Sequence, residues 1–181
     1  MIKTRKNPVL PYIGLPIIAA ALLIIRLEHM EPFVTLISET LVIFGYIAAV
    51  IDIKAKRIPN MLILAMLAAW ILIMAPKLIV DTDAAVALLM DSMFGFLLGG
   101  GMFLLVYIIS RKGLGGGDVK FMAAAGLYLG PRGLLPAMLC GTILAGLAGL
   151  TLILLNKINR KDTIPLAPFL YIGMLLTMLV M

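Results

Sequence analysis

Long apolar stretches separated by short polar segments dominate this chain. They fall at about residues 8–25, 33–51, 61–80, 84–110, 119–130, 134–156 and 164–181. Most of them approach the ~20 residues that an α-helix needs to cross the hydrocarbon core of a bilayer. The pattern predicts an all-α, polytopic integral membrane protein with about seven transmembrane helices.

Composition supports this class and limits the number of domains. Hydrophobic residues make up 63% of the 181 positions and charged residues only 13%, which leaves little polar sequence for a soluble domain. We therefore expect one membrane-embedded domain over residues 1–181, with an additional amino-terminal helix in 1–32 and the core in 33–181. The net charge of +6 does not indicate nucleic acid, because basic residues in short loops report topology and contact with membrane lipids.

The basic residues predict how the helices are oriented. With seven helices and a cytoplasmic amino terminus, twelve of the 15 Lys and Arg residues fall inside and three, Arg26, Lys77 and Arg132, fall outside. This is a strong positive-inside bias. The fifth stretch is short, since ~12 residues rise only ~18 Å against a ~30 Å core. It must nevertheless cross, because otherwise the cations near residues 157–161 would move outside.

Two aspartates lie at predicted helix ends on the same, cytoplasmic, side. Asp52 ends the second stretch, and Asp118 follows the segment Gly-Leu-Gly-Gly-Gly at 113–117. Two neighbouring carboxylates do not both ionise readily, so one holds a proton while the other acts as a base toward a shared water. That water can attack a peptide carbonyl without a metal or an organic cofactor. We expect a recess lined by these two helix ends and by the start of the seventh stretch.

The residues around the aspartates are candidates for binding an extended substrate. Glycine permits positive φ and close backbone approach, and no Gly-Lys-Ser or Gly-Lys-Thr follows to make a phosphate loop. The candidate substrate-binding residues are Gly115, Gly116, Gly117, Lys120, Pro59 and Asn60. Structural alternatives exist for each charge: Asp52 could pair with a nearby cation, Asp118 could cap its helix, and Lys120 could snorkel to the interface.

The motifs that contain the aspartates resemble those of a known family. Gly115-Gly116-Gly117-Asp118 is similar to the Gly-x-Gly-Asp signature of type IV prepilin peptidases and archaeal preflagellin peptidases, and Asp52 followed by Ile58-Pro59-Asn60 is similar to their first-aspartate region. The resemblance covers about residues 33–181. It implies that Asp52 and Asp118 form the catalytic pair of a membrane aspartic endopeptidase. Such an enzyme removes the short leader peptide from pilin-like precursors at the cytoplasmic membrane face.

The chain also departs from this family's pattern. Larger members carry a four-cysteine zinc-binding region and also methylate the new amino terminus, whereas this sequence has one cysteine, Cys140. The resemblance therefore implies a short form with peptidase activity and without methylation. Residues 165–169, Pro-Leu-Ala-Pro-Phe, resemble the family's Pro-Phe-Gly-Pro-Phe stretch and contain a fragment similar to the Pro-Ala-Leu region of presenilin-like intramembrane proteases. Those proteases usually have tyrosine before the first aspartate, but Ile51 precedes Asp52, which favours the prepilin peptidases.

Two non-enzymatic alternatives remain open. A small transporter, in which Asp52 and Asp118 relay ions, predicts acids at the membrane midplane and an inverted repeat, and neither is evident. A non-catalytic assembly protein of a pilus or secretion machine is also compatible with the sequence. The identity of the pilin-like substrate, the type of appendage, the oligomeric state and the role of the helix at 8–25 do not follow from the residues.

Overall fold

Helices account for nearly all of the described chain. The structure is a computed structural model, and it describes residues 32–110, 113–157 and 163–180. The helices are α1 (Pro32–Ala55), α2 (Asn60–Val80), α3 (Thr82–Ile109), α4 (Gly116–Leu154) and α5 (Ala167–Val180). No strand occurs in these three ranges. The all-α prediction is confirmed for this part of the chain.

The helices have the length and surface of membrane-spanning elements. Four of them, α1 to α4, are long and apolar enough to cross a bilayer, whereas α5 has 14 residues. Large apolar side chains such as Leu72, Leu97 and Ile143 are exposed on the outside of the bundle, far beyond the scattered apolar exposure of a soluble monomer. The chain is therefore a multi-pass membrane protein. The predicted count of about seven helices is not confirmed, and the predicted helix at 8–25 lies outside the described residues.

The helix α4 contains the fifth and sixth predicted stretches, joined by a sharp break at Gly130. This residue has φ 60 and ψ 178, a backbone conformation that is essentially restricted to glycine. Pro131 follows directly, at a first helical position where its missing N–H is not needed. The sequence predicts a short loop at 131–133, and the structure instead makes the connection with one residue.

The chain reverses direction at this break. Gly99 of α3 lies against Met122, which precedes the break, and also against Leu134, which follows it. The segment 131–154 therefore runs back alongside 116–129. The short fifth stretch is thus followed by a return segment.

One end of the bundle collects several helix ends, and we call it the site end. Contacts between distant residues define it: the Ala167 N–H donates to Asp52 at 3.0 Å, and Gly149 lies beside Ile164. The end of α1, the start of α2, the end of α3, both ends of α4 and the start of α5 therefore lie together. The α2–α3 junction and the reversal in α4 lie at the opposite end.

The first half of α4 is the central helix. Residues 121–128 are all buried, and two hydrogen bonds hold α2 to them. Trp70 Nε1 donates to the Leu127 carbonyl oxygen at 3.0 Å, and Tyr128 OH donates to the Met66 carbonyl oxygen at 2.6 Å. On the other side, glycines of α3 contact the α4 backbone directly, a close approach that small residues permit in membrane helices. This packing fixes the central helix that begins at Asp118.

Gly130→Ala should destabilise the protein. Alanine rarely adopts the backbone conformation found there, and its Cβ would overlap the carboxylate of Asp91; strain of this kind costs about 1–3 kcal/mol. We expect a lower apparent Tm for the detergent-solubilised protein. Gly146→Ala is the matched control, because no atom lies within 4 Å of its added Cβ. Equal melting of the two variants would contradict the assigned role of Gly130.

Candidate active site

A cavity of about 310 Å³ opens at the site end. Its lining residues are Asp52, Lys56, Gly113, Leu114, Gly115, Asp118, Thr163, Ile164, Pro165 and Leu166. They come from the end of α1, the start of α4 and the extended segment before α5, as expected for the predicted recess. Both predicted aspartates therefore line the same cavity. This volume is at the lower end of the range for small-molecule sites.

The carboxylate of Asp52 caps a helix other than the one that contains it. It lies in the last turn of α1 and is only 4% exposed. Its Oδ2 accepts a hydrogen bond from the Ala167 N–H at 3.0 Å, so the carboxylate caps the amino terminus of α5. This one bond ties the last turn of α1 to the first turn of α5. Lys56, directly after α1, has φ 49, and its N–H donates to the Asp52 carbonyl oxygen at 2.8 Å.

Asp118 lies in the first turn of α4, and its carboxylate is less completely hydrogen-bonded than that of Asp52. Its Oδ1 is buried and has no hydrogen-bond partner among the described residues. A buried carboxylate oxygen without a donor is costly, so Asp118 is not held by hydrogen bonds at this oxygen. The two carboxylates line the same cavity from different helices. The N-cap residue of α4 is Gly115, with no side-chain capping hydrogen bond, and the Asp118 Oδ2 faces this glycine.

The three consecutive glycines before Asp118 have different surroundings. A Cβ on Gly115 would lie 2.7 Å from the Asp118 Oδ2, whereas no atom lies within 4 Å of a Cβ on Gly116. A Cβ on Gly117 would lie 3.2 Å from the N, Cβ and O atoms of Ile58. The first glycine therefore leaves room for the carboxylate, and the third permits close packing of the chain that follows α1.

The structure separates the predicted substrate-binding residues into two groups. Among them only Gly115 lines the cavity. Pro59 is the residue before α2, and Lys120 Nζ donates to Asn60 Oδ1 at 2.9 Å. Gly117 packs against Ile58, as described above, and Gly116 faces open space. A substrate-binding role for these residues stays a prediction.

Sequence reasoning missed one charged residue of the cavity. Lys56 lines it, and its Nζ donates to the Thr163 carbonyl oxygen at 2.7 Å. Together with the bond from Ala167 to Asp52, this contact holds both ends of the extended segment 163–166 against α1. No sequence motif indicates such a contact between residues 107 positions apart.

A comparison with known protein families identifies the chain. The model of the type IV leader peptidase family matches residues 39–153, a range that includes both aspartates. The chain belongs to the type IV leader peptidase family. The resemblance inferred from the two motifs is thus confirmed.

Individual relatives agree with the family. A prepilin leader peptidase/N-methyltransferase of Bacillus subtilis is 30% identical over 74% of this chain and 51% of the relative. A protein of the same description from Escherichia coli K12 is 26% identical over 82% of this chain and 66% of the relative. Leader peptidase HopD of Escherichia coli is 33% identical over 45% of this chain and 57% of the relative. The chain thus spans about half to two thirds of the length of these relatives. No solved structure matches it significantly.

Lys56→Met should loosen the extended segment 163–166. The substitution keeps most of the apolar side-chain length but removes the donor to the Thr163 carbonyl oxygen. We expect faster hydrogen exchange of the Ile164 and Leu166 amides, measured by mass spectrometry in detergent. Arg57→Met is the control, since Arg57 carries the same charge but does not line the cavity. Wild-type exchange in Lys56→Met would show that the bond does not hold the segment.

Proposed function

We propose that the protein is a membrane aspartic endopeptidase that removes the short leader peptide from type IV pilin-like precursors. The supporting observation is that Asp52 and Asp118, from different helices, line one cavity. Membership of the type IV leader peptidase family supports the same activity. Asp52 and Asp118 are the catalytic pair in this proposal.

The chemistry follows from two carboxylates that share one proton. The ionised carboxylate takes a proton from water while the water oxygen bonds to the scissile carbonyl carbon, and the protonated carboxyl donates to the carbonyl oxygen. The tetrahedral intermediate then collapses, the C–N bond breaks, and a proton passes to the leaving amine. In this proposal the water is held between the two carboxylates, because both residues line the cavity. The proton belongs to the pair rather than to one residue.

The substrate is proposed to enter at the site end of the bundle. Leu114, Ile164 and Leu166 give the cavity apolar walls beside its two aspartates and Lys56. The apolar helix of a pilin-like precursor can remain in the bilayer against the exposed apolar faces, while its leader reaches the cavity. Gly115 is the predicted substrate-binding residue that can touch a peptide there.

Charge supports a cytoplasmic location for the site end, with the protein in the cell membrane. Five described cations, Lys54, Lys56, Arg57, Lys120 and Lys157, belong to helix ends and loops at the site end. At the opposite end the described cations are Lys77, near the end of α2, and Arg132, just after the reversal. A bias of this kind favours the basic end inside the cell and brings it close to anionic lipids.

The position of the aspartates also bears on the competing transporter hypothesis. An ion pathway places its acids near the membrane midplane, where they bind and release the transported ion. Asp52 lies in the last turn of α1 and Asp118 in the first turn of α4, both at the site end. This placement favours hydrolysis of a peptide that reaches the membrane surface.

Asp52→Asn and Asp118→Asn should each reduce leader removal by at least about 100-fold, because an amide cannot exchange the proton that general acid–base catalysis requires. In Asp52→Asn the amide oxygen can still accept from the Ala167 N–H, so folding should be retained. The assay reconstitutes the chain with candidate pilin-like precursors and detects the shortened product by mass spectrometry. Asp83→Asn, at an exposed position in the first turn of α3, should cleave at the wild-type rate. Full cleavage by both folded active-site variants would contradict the proposal.

The pH dependence of kcat/KM should be bell-shaped. At low pH both carboxylates are protonated and no base is present, whereas at high pH both are ionised and no acid is present. Cleavage rates measured across pH in reconstituted vesicles test this expectation. A rate that rises with pH and then stays constant would indicate a single catalytic carboxylate.

A further inference from the structure

Two contacts join the chain that follows Asp52 to the chain that surrounds Asp118. Ile58 is buried, with 7% exposure, and its N, Cβ and O atoms would lie 3.2 Å from a Cβ on residue 117, a tight contact that glycine avoids. Lys120 Nζ donates to Asn60 Oδ1 at 2.9 Å. We call the pair of contacts Ile58–Gly117 and Asn60–Lys120 the clasp.

The clasp brackets one aspartate and is directly connected to the other. Gly117 precedes Asp118, and Lys120 is two residues beyond it, so the two contacts lie on either side of Asp118 in the first two turns of α4. Ile58 and Asn60 follow the end of α1, where the Lys56 N–H donates to the Asp52 carbonyl oxygen at 2.8 Å. Movement of the first turn of α4 relative to α1 therefore requires the clasp to open.

The clasp residues do not line the cavity. Ile58, Asn60, Gly117 and Lys120 are absent from its wall, and each of them contacts its partner between the α1–α2 connection and α4. A peptide in the cavity would touch Gly115 and Asp118 without reaching these contacts. Their influence on a reaction is therefore exerted through the position of Asp118.

We propose that Ile58, Asn60, Gly117 and Lys120 are positioning residues that set the separation between the carboxylates of Asp52 and Asp118. The kinetic part of this inference rests on the proposed function. Two carboxylates share one proton only when they are close, and a displacement of about 1 Å of a reacting group can cost about 100-fold in rate. The position of the Asp52 carboxylate is already restrained by α5, because the Ala167 N–H donates to it. The clasp supplies the corresponding restraint on Asp118.

Gly117→Ala tests the packing half of the clasp. The added Cβ must push Ile58 away, and the atoms it meets include backbone, which gives way less easily than a side chain. We expect kcat to fall several-fold, up to about 10-fold, with little change in KM, and the bell-shaped pH profile to narrow as the coupling between the aspartates weakens. Gly101→Ala is the control, since no atom lies within 4 Å of its Cβ. A wild-type kcat and pH profile in folded Gly117→Ala would overturn the proposal.

A double-mutant cycle tests the polar half and distinguishes it from substrate binding. Asn60→Ala and Lys120→Met should each lower kcat, and the double variant should lose no more than either single one, because one contact is removed in all three. Lys120→Arg, which keeps a donor, should restore most of the activity. If Lys120 instead binds substrate, Lys120→Met will raise KM, and the Asn60→Ala effect will add to it. That additive result would overturn the polar part of the clasp.

An infrared titration tests the clasp without any substrate. The carboxyl C=O band of Asp118, assigned by its loss in Asp118→Asn, reports its protonation in the folded protein, where Asp52 and Lys56 are the other charged groups on the cavity. Gly117→Ala and Asn60→Ala change no charge, and Gly117→Ala also keeps the Lys120 ammonium on Asn60, so a shifted titration midpoint in both variants reports movement of Asp118 and not of the cation alone. If Gly117→Ala does not fold, the titration is carried out on Asn60→Ala.

The outcomes of this titration separate the two proposals. Wild-type midpoints in both neutral variants would overturn the clasp, whether or not the protein cleaves a precursor. A shifted midpoint combined with no cleavage of any precursor by the wild type would leave the clasp in place and overturn the proposed function alone.

Discussion

The hydrogen bond from the Ala167 N–H to the buried carboxylate of Asp52 holds the site end together. A carboxylate that loses most of its solvent requires donors in the protein, and the amino terminus of α5 supplies one where the helix dipole also favours negative charge. The bond therefore does two things at once. It compensates the burial of Asp52, and it draws the extended segment 163–166 across the front of the cavity. The start of α4 completes the remaining wall.

The membrane interior adds a second constraint, since helices there gain little from burying apolar surface against one another. The central segment of α4 instead uses direct backbone contact with glycines of α3 and two hydrogen bonds from Trp70 and Tyr128 to main-chain carbonyl oxygens. These contacts stabilise the packing and also form at only one relative position of the helices. They keep the first half of α4 in a fixed place, so that only its first turn depends on local contacts for its orientation.

Much of this architecture was predictable from the sequence, for identifiable physical reasons. Apolar stretches of helical length predicted the helices, and the pairing of Asp52 with Asp118 followed from helix ends on one side together with two flanking motifs. The single-residue reversal at Gly130 was not predictable, because a Gly-Pro-Arg-Gly segment is equally compatible with a longer loop. The roles of individual glycines were also hidden, since a sequence does not show what each one faces. Gly115 leaves room for the carboxylate of Asp118, and Gly117 leaves room for the buried Ile58. No atom of the described chain lies within 4 Å of a Cβ on Gly116.

The capping of α5 by Asp52 also bears on where the functional unit ends. The family match stops at residue 153, yet the group that satisfies the first aspartate is the amide of Ala167, and residues 163–166 form part of the cavity wall. A fragment that ends at residue 153 would keep both carboxylates. It would lose the amide that donates to Asp52 and the segment 163–166 that forms part of the cavity wall beside Asp118. The boundary of the matched region is thus a boundary of sequence similarity. The smallest piece of this protein that contains an intact site extends into its last described helix.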